Sequence, residues 1–403
     1  MTEPTPDPRQ AAGPSPAAAG PPRRPRRRLA IAAGITAAAI TVIGVPAAAF
    51  GLTGALGHGP APNAPMSAIK FHTGNATRIS GSAATSGVKS AASTATTDYH
   101  AYVALAGGFS IAEVDVASDT ILADSISADS PEGVAVTPDG ATVYVAETGQ
   151  YQVIAVNAST GAKTPITVGP YPQDVAVSPD GSQVYATVTG SDSGPGSSDA
   201  VAVISTATNT VTGDITVGPA PRQVVFSPDG SRAYVTTETG VAVISTASGQ
   251  VIRTVRDPSG PQGIAVSPDG KTLYVTNPNA GGLWVINAAS GQVTARIPAG
   301  AEPYAVAVSP DGSRVYVTDM NSDSVSVLST ATRHTVASVP VGRLPGSVAV
   351  TPDGSQVWVG NNLTGNISVI NPATDTVSAT ISGGSGTATL LAAPLGIAFT
   401  KAG

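Results

Sequence analysis

Ala305-Val-Ala-Val-Ser-Pro-Asp-Gly-Ser-Arg-Val-Tyr-Val-Thr318 is the stretch of this 403-residue chain that decides its fold. Two β-branched runs flank a Pro-Asp-Gly turn: proline presets the first turn position, aspartate bonds its own backbone, and glycine accepts the positive φ that reverses the chain. A third run follows at Ser324 to Leu328 and a fourth at Thr335 to Val341. The Ser/Thr-Pro-Asp-Gly element occurs six times, with prolines at Pro138, Pro179, Pro228, Pro268, Pro310 and Pro352, spaced by 41, 49, 40, 42 and 42 residues. Four short strands per unit at a period near 40 predict the blades of an all-β propeller.

The second strand of every unit carries one aromatic residue: Tyr102, Tyr144, Tyr185, Tyr234, Tyr274, Tyr316 and Trp358. A ring repeated at the blade period is expected to pack between blades rather than to form a binding stripe. The regular aspartates, Asp139, Asp180, Asp229, Asp269, Asp311 and Asp353, are read as turn residues without a catalytic role. Both ends of the array are incomplete. Residues 100 to 127 supply a second, third and fourth strand, the last over Thr120 to Ile126, while Pro394-Leu-Gly-Ile-Ala-Phe-Thr400 supplies a first strand with nothing after it. Joining them completes a seventh blade and leaves no open sheet edge, so the expectation is a seven-bladed β-propeller of four-stranded blades closed by the C-terminal strand.

Tyr274-Val-Thr-Asn277 after Ser267-Pro-Asp-Gly270, together with Ser324-Val-Ser-Val-Leu-Ser-Thr-Ala-Thr332, resembles the YVTN family of β-propeller repeat proteins, close to YncE-like and surface-layer-type propellers. The resemblance covers residues 99 to 403 and implies a fold more than an activity. The repeat style is also similar to that of lactonase-type propellers and of the haem d1 domain of nitrite reductases, which supply the enzyme alternatives.

Composition excludes several chemistries. The chain has no cysteine, so disulfides and thiolate sites are ruled out. Residues 99 to 403 carry 23 acidic against 11 basic side chains with no basic track, which disfavours a nucleic-acid partner. Ahead of the repeats, residues 1–28 form a basic, Pro/Ala-rich tail ending in Arg26, Arg27 and Arg28, expected to stay in the cytoplasm. Residues 29–57 hold the hydrophobic segment. Leu29 to Phe50 is long enough to cross a bilayer, and Pro46-Ala-Ala-Ala49 suits signal peptidase, so signal anchor and cleaved signal peptide both stand. Residues 58–98 read as a Ser/Thr/Ala-rich linker. The 99–403 propeller is therefore expected outside the cytoplasm, membrane-anchored through residues 29–50 or secreted, and monomeric.

Functional signal is confined to the loops that break the repeat. If the first strand of each blade runs from top to bottom, the top face collects Glu132, Tyr171, Gln173, Asp174, Arg222, Gln223, Gln262, Tyr304 and Arg343, with the loops around Glu238, Asn277, Asp319 and Asn361. Glu132, Tyr171, Gln173, Asp174, Arg222, Gln262, Tyr304 and Arg343 are taken as ligand-binding residues for an unknown protein or a polar polymer such as a cell-envelope glycan. A calcium-dependent or lactonase-like hydrolase needs several convergent acids, and the innermost strands offer one, Asp174. Asp319-Met-Asn-Ser-Asp323 opens like a calcium loop, but Ser324 and Thr330 stand where such a loop needs glycine and glutamate. His100 and His334 fall on outer strand positions, unsuited to a haem. No metal, cofactor or catalytic residue is assigned. The expected function is a non-catalytic binding or scaffolding module at the cell surface; the alternative is a lactonase-like hydrolase at the channel mouth.

Overall fold

A computed structural model describes Met1 and residues 99–401 other than 123–125, 191–198, 258 and 383–392. The N-terminal tail (beyond Met1), the hydrophobic segment, the linker, the Gly/Ser-rich insertion before Asp199 and the glycines at 383–386 lie outside the described residues. Among the described residues no helix is long and apolar enough to cross a membrane.

The repeats form seven antiparallel sheets, each a meander in which consecutive strands pair. Blade 1 comprises Pro131–Val136, Thr142–Glu147, Gln152–Asn157 and Lys163–Thr167. Blades 2 to 6 follow the same plan, with first strands at Pro172–Val177, Val224–Phe226, Ile264–Val266, Pro303–Val308 and Pro345–Val350. In blade 7 the C-terminal strand Pro394–Lys401 pairs with Tyr99–Leu105, so both chain ends of the array are stitched into one sheet. First strands of neighbouring blades touch all the way round, including Pro394–Lys401 against Pro131–Val136. The ring is closed and its first strands line the channel.

Two details differ from the sequence expectation. The outer strand of blade 7 is not one run but two pieces, Thr120–Ile121 and Ile126–Ser127, which pair with opposite ends of Ser110–Asp115. The first strands of blades 3 and 4 are only three residues long. Just above each, the N–H of Gln223 or Gly263 bonds a threonine hydroxyl, Thr236 or Thr276, as Asp174 N and Ala305 N do with Thr187 and Thr318 in blades 2 and 5.

The core is divided into seven apolar clusters, one at each seam between blades. Every cluster contains one of the seven repeat aromatics together with β-branched residues of the next blade; Tyr144 of blade 1, for example, packs with Val184, Ala186 and Ile204 of blade 2. The rings are therefore core, as their spacing predicts. Tyr144 also donates its hydroxyl to Asn209 Oδ1 across the seam (2.7 Å). Burying such a side chain is worth about 1.5–3 kcal/mol, so the aromatic series is a principal source of cohesion between blades.

At the lower end the aspartates act as the turn chemistry requires. In each Pro-Asp-Gly turn the carboxylate accepts from the Ser or Thr hydroxyl two residues back and from the N–H two residues on, as Asp229 does from Ser227 and Ser231. These bonds hold Asp229 and Asp311 down at about 2. The turns also interlock. Gly181 sits at φ +72 against the ring of Pro138, where a Cβ would lie 3.2 Å from Pro138 Cδ, and the same stacking continues to Gly354 on Pro310.

Candidate functional site: the mouth of the channel

The top of every first strand is built alike. A proline opens it, and the residue before that proline lies in the left-handed region in all seven blades, from Ser130 (φ 49) and Tyr171 (φ 47) to Ala393 (φ 52), with glycine in one case only, Gly260. Six non-glycine residues held there cost free energy, and the seams above and below over-determine the turn.

The residue after each proline forms a ring at the mouth: Glu132, Gln173, Arg222, Gln262, Tyr304, Gly346 and Leu395. Glu132, Gln173, Arg222, Gln262 and Tyr304 are half-buried, as channel-lining side chains should be. The sequence reading missed two contributors. At Gly346 a Cβ would lie 2.2 Å from Asn362 Nδ2, so the Asn362 amide occupies the place of the missing side chain. Leu395 supplies the apolar member. The signal for Leu395 was available, because it follows the seventh proline; nothing in the sequence ties Asn362 to Gly346.

Threonine hydroxyls set the ring in position. Thr187 Oγ1 accepts from Asp174 N (3.0 Å) and donates to Arg222 O (2.7 Å) in the next blade. Thr236 donates to Gln262 O (2.8 Å), Thr276 to Tyr304 O, and Thr148 to Pro172 O (2.9 Å). In blades 2, 3 and 4 the threonine two residues after the repeat tyrosine thus fixes the mouth residue of the following blade. The next ring position inward points across the seam. Asp174 Oδ2 accepts from Val224 N (3.0 Å) and Gln223 Oε1 from Ile264 N (3.1 Å).

The mouth is electrostatically connected across the channel. Burial pushes the Glu132 carboxyl up to about 7, with the charge of Asp174 adding to it and a hydrogen bond from Thr148 opposing it. Burial likewise raises Asp174 to about 7 against its two backbone hydrogen bonds. The Tyr304 phenol goes up to about 12, by burial first and then by the charge of Glu132, while Arg222 pulls it back. Glu132, in blade 1, and Tyr304, in blade 5, belong to the same ring. Among the described residues Arg222 Nε and Asn362 Oδ1 are buried without a partner, as are Asp319 Oδ1, Asn361 Oδ1 and the Tyr316 hydroxyl away from the ring. Such groups are costly unless a ligand or water meets them.

The other residues expected to bind lie elsewhere. Tyr171 is exposed on the approach to its proline, with its ring edge-on to Tyr151 (centroids 5.2 Å apart), and Arg343 is exposed on the corresponding approach in blade 6. Asn277, Asp319 and Asn361, counted above with the top-face loops, are fully buried. They are structural: Asn277 Oδ1 takes Ala280 N, Asp319 Oδ2 takes the Ser326 hydroxyl (2.6 Å), and Asn361 Nδ2 donates to Ser368 (2.9 Å), each bracing the turn above it. Asp174 faces the seam more than the lumen.

The donor set suits a polar organic group better than a cation. Glu132 is the one carboxyl in the ring, Arg222 places a positive charge beside it, and no cluster of three or more His, Cys, Asp or Glu that could hold a metal occurs among the described residues.

Residues 175–334, which run from blade 2 into blade 5, match the family model "Lactonase, 7-bladed beta-propeller". No curated protein matches the chain. Solved structures that match number 1571 chains, a breadth that marks the fold and says little of any one activity. One is a chain of the Kuenenia stuttgartiensis hydrazine synthase, at 27% identity and TM-score 0.61, covering 66% of this chain and 91% of that one. Another is a functionally unknown protein from Desulfotomaculum acetoxidans DSM 771, at 16% identity and TM-score 0.63, covering 75% and 99%. The chain is a seven-bladed β-propeller, similar over four of its blades to the lactonase-type propellers.

Proposed function

We propose that this is an extracytoplasmic, non-catalytic binding module whose ligand presents an acceptor-rich polar group, a carboxylate or clustered hydroxyls, to the mouth of the channel. A protein loop or a cell-envelope glycan carries such a group. The observation that carries the reading is the ring itself. Five blades place a carboxyl, a guanidinium, two amides and a phenol at one level, with Arg222 Nε left unpartnered. Arg222 alone brings five donors there, and Glu132, pushed up to about 7, adds another when protonated. Residues 29–50 tether the monomeric propeller to the membrane unless they are cleaved. Once a ligand is found by thermal-shift screening of the full chain, Arg222→Ala with Tyr304→Ala should weaken it by roughly 2 kcal/mol or more with little loss of stability. A ligand that binds the double variant as well as the native chain would place the site elsewhere.

A second reading, lactone hydrolysis at the same mouth, is supported by the family match over residues 175–334 and by a Glu132 carboxyl poised near neutral pH for proton transfer. Turnover of a lactone panel, lost in Glu132→Gln, would establish it in place of the binding reading. The absence of turnover across the panel would leave binding as the function.

A further inference from the structure

The turn between second and third strands ends in a left-handed residue in five blades. Blades 4 and 6 use glycine there, Gly281 and Gly365, and blade 5 uses Asp323. Blades 7 and 1 use Phe109 (φ 49) and Tyr151 (φ 58), large residues for which this conformation is a strained outlier. Neither ring is repaid by burial. Phe109 is 59% exposed, Tyr151 44% and Tyr171 40%, and these are the exposed aromatics among the described residues. All three lie on one sector of the top rim.

Between Phe109 and blade 1 runs a groove of about 490 Å³ with Ile154 and Pro165 in its wall. Its polar groups are held in advance. Gln150 Nε2 donates to Asp129 Oδ2 (2.7 Å) and Gln152 Nε2 to Glu147 Oε2 (2.6 Å), so both glutamine amides are oriented with their oxygens left as acceptors. Lys163 crosses the seam to Ser127 O and Oγ (2.6 and 2.7 Å) with a third proton left over. Gly149 lets the Asp129 carboxylate lie close over the turn, since a Cβ there would be 2.7 Å from Asp129 Oδ1.

We propose that this seam groove, with the exposed ring of Phe109 in its wall, binds a neutral pyranose oligosaccharide. An aromatic face covers the C–H face of a sugar ring, while pre-oriented amide oxygens, a carboxylate and an ammonium answer its hydroxyls. An anionic sugar would meet Asp129 and is disfavoured. The site is separate from the channel mouth and does not rest on the reading of that mouth.

The test is calorimetric titration of the full chain with cellohexaose and with chitohexaose. At least one should bind, with affinity reduced tenfold or more by Phe109→Gly, retained by Phe109→Trp, and unchanged by Tyr151→Gly, whose ring packs on Tyr171 outside the groove, or by Arg222→Ala. Because glycine relaxes the left-handed backbone, the two glycine variants should melt no lower than the native chain, which separates a binding role from a structural one. Failure of both hexasaccharides to bind, or binding that survives Phe109→Gly, overturns the proposal. A peptide array yielding Phe109-dependent ligands when neither sugar binds would reassign the groove to protein.

Discussion

Replacing Glu132 by glutamine keeps the shape of the side chain and removes its charge, and the consequence for stability has a definite dependence on pH. The carboxyl rises from 4.5 to about 7 on folding, chiefly through burial. Below about pH 4 it is protonated in both folded and unfolded chains and contributes nothing. As pH rises through the window between the two values, the unfolded chain ionises first, so the native protein loses stability, and the full penalty stands above pH 7. At about 1.36 kcal/mol per unit the penalty has an upper bound of about 3 kcal/mol. Glu132 is only half-buried, and channel water screens it, so about 1–2 kcal/mol is the working figure. With roughly 2 °C per kcal/mol for a domain of this size, Glu132→Gln should melt about 2–4 °C above the native chain at pH 8 and coincide with it at pH 4.5. Differential scanning fluorimetry across pH 4–8.5 reads this directly. A variant offset that is constant with pH, or a variant less stable than native at pH 8, would show that the mouth does not hold Glu132 in a desolvated ring.

Thr187→Val removes the hydroxyl that joins Asp174 N to Arg222 O and should cost roughly 1.5–3 kcal/mol in chemical denaturation, together with weakened mouth binding because Arg222 is no longer held. An equally stable variant would mean that the seam does not depend on this bond. Truncation before Pro394 removes the first strand of blade 7 and bares two sheet edges, so limited proteolysis should degrade the product; cooperative melting like that of the full chain would contradict ring closure through that strand. A reporter fused after Gly403 should be active only outside the cytoplasm, and cytoplasmic activity alone would refute the export argument.

The repeat made most of the scaffold readable. The Pro-Asp-Gly turns, the aromatic in each second strand and the two incomplete ends suffice for blade number and closure, because each is a local constraint repeated at one period. Radial position is a different matter. Gln262, at the mouth, and Arg343, outside it, look alike as loop residues that break the pattern, and no local signal gives their distance from the channel axis. Counting one residue past each proline would have separated them. The buried fates of Asn277, Asp319 and Asn361 were hidden for the opposite reason: polar side chains near a turn read as surface until the partners that satisfy them, such as Ser326 for Asp319, are seen in the next strand. The space that Asn362 fills over Gly346 is a three-dimensional coincidence with no pattern along the chain.

The hydroxyls of Thr187, Thr236 and Thr276 all donate from one blade to backbone of the next, and Ser347 Oγ to Pro394 O (3.0 Å) carries that direction into the closing strand. The piece of chain that behaves as an independent unit is therefore not a blade. It is a staggered segment running from one such threonine through the following proline and mouth residue. Recombination at blade boundaries would separate Arg222, Gln262 and Tyr304 from the hydroxyls that hold them, whereas exchange at the staggered joints would transplant each of these mouth positions whole. Duplication and shuffling of such propellers should leave their crossover points inside the second strand, and ring members should be interchangeable between chains only when cut there.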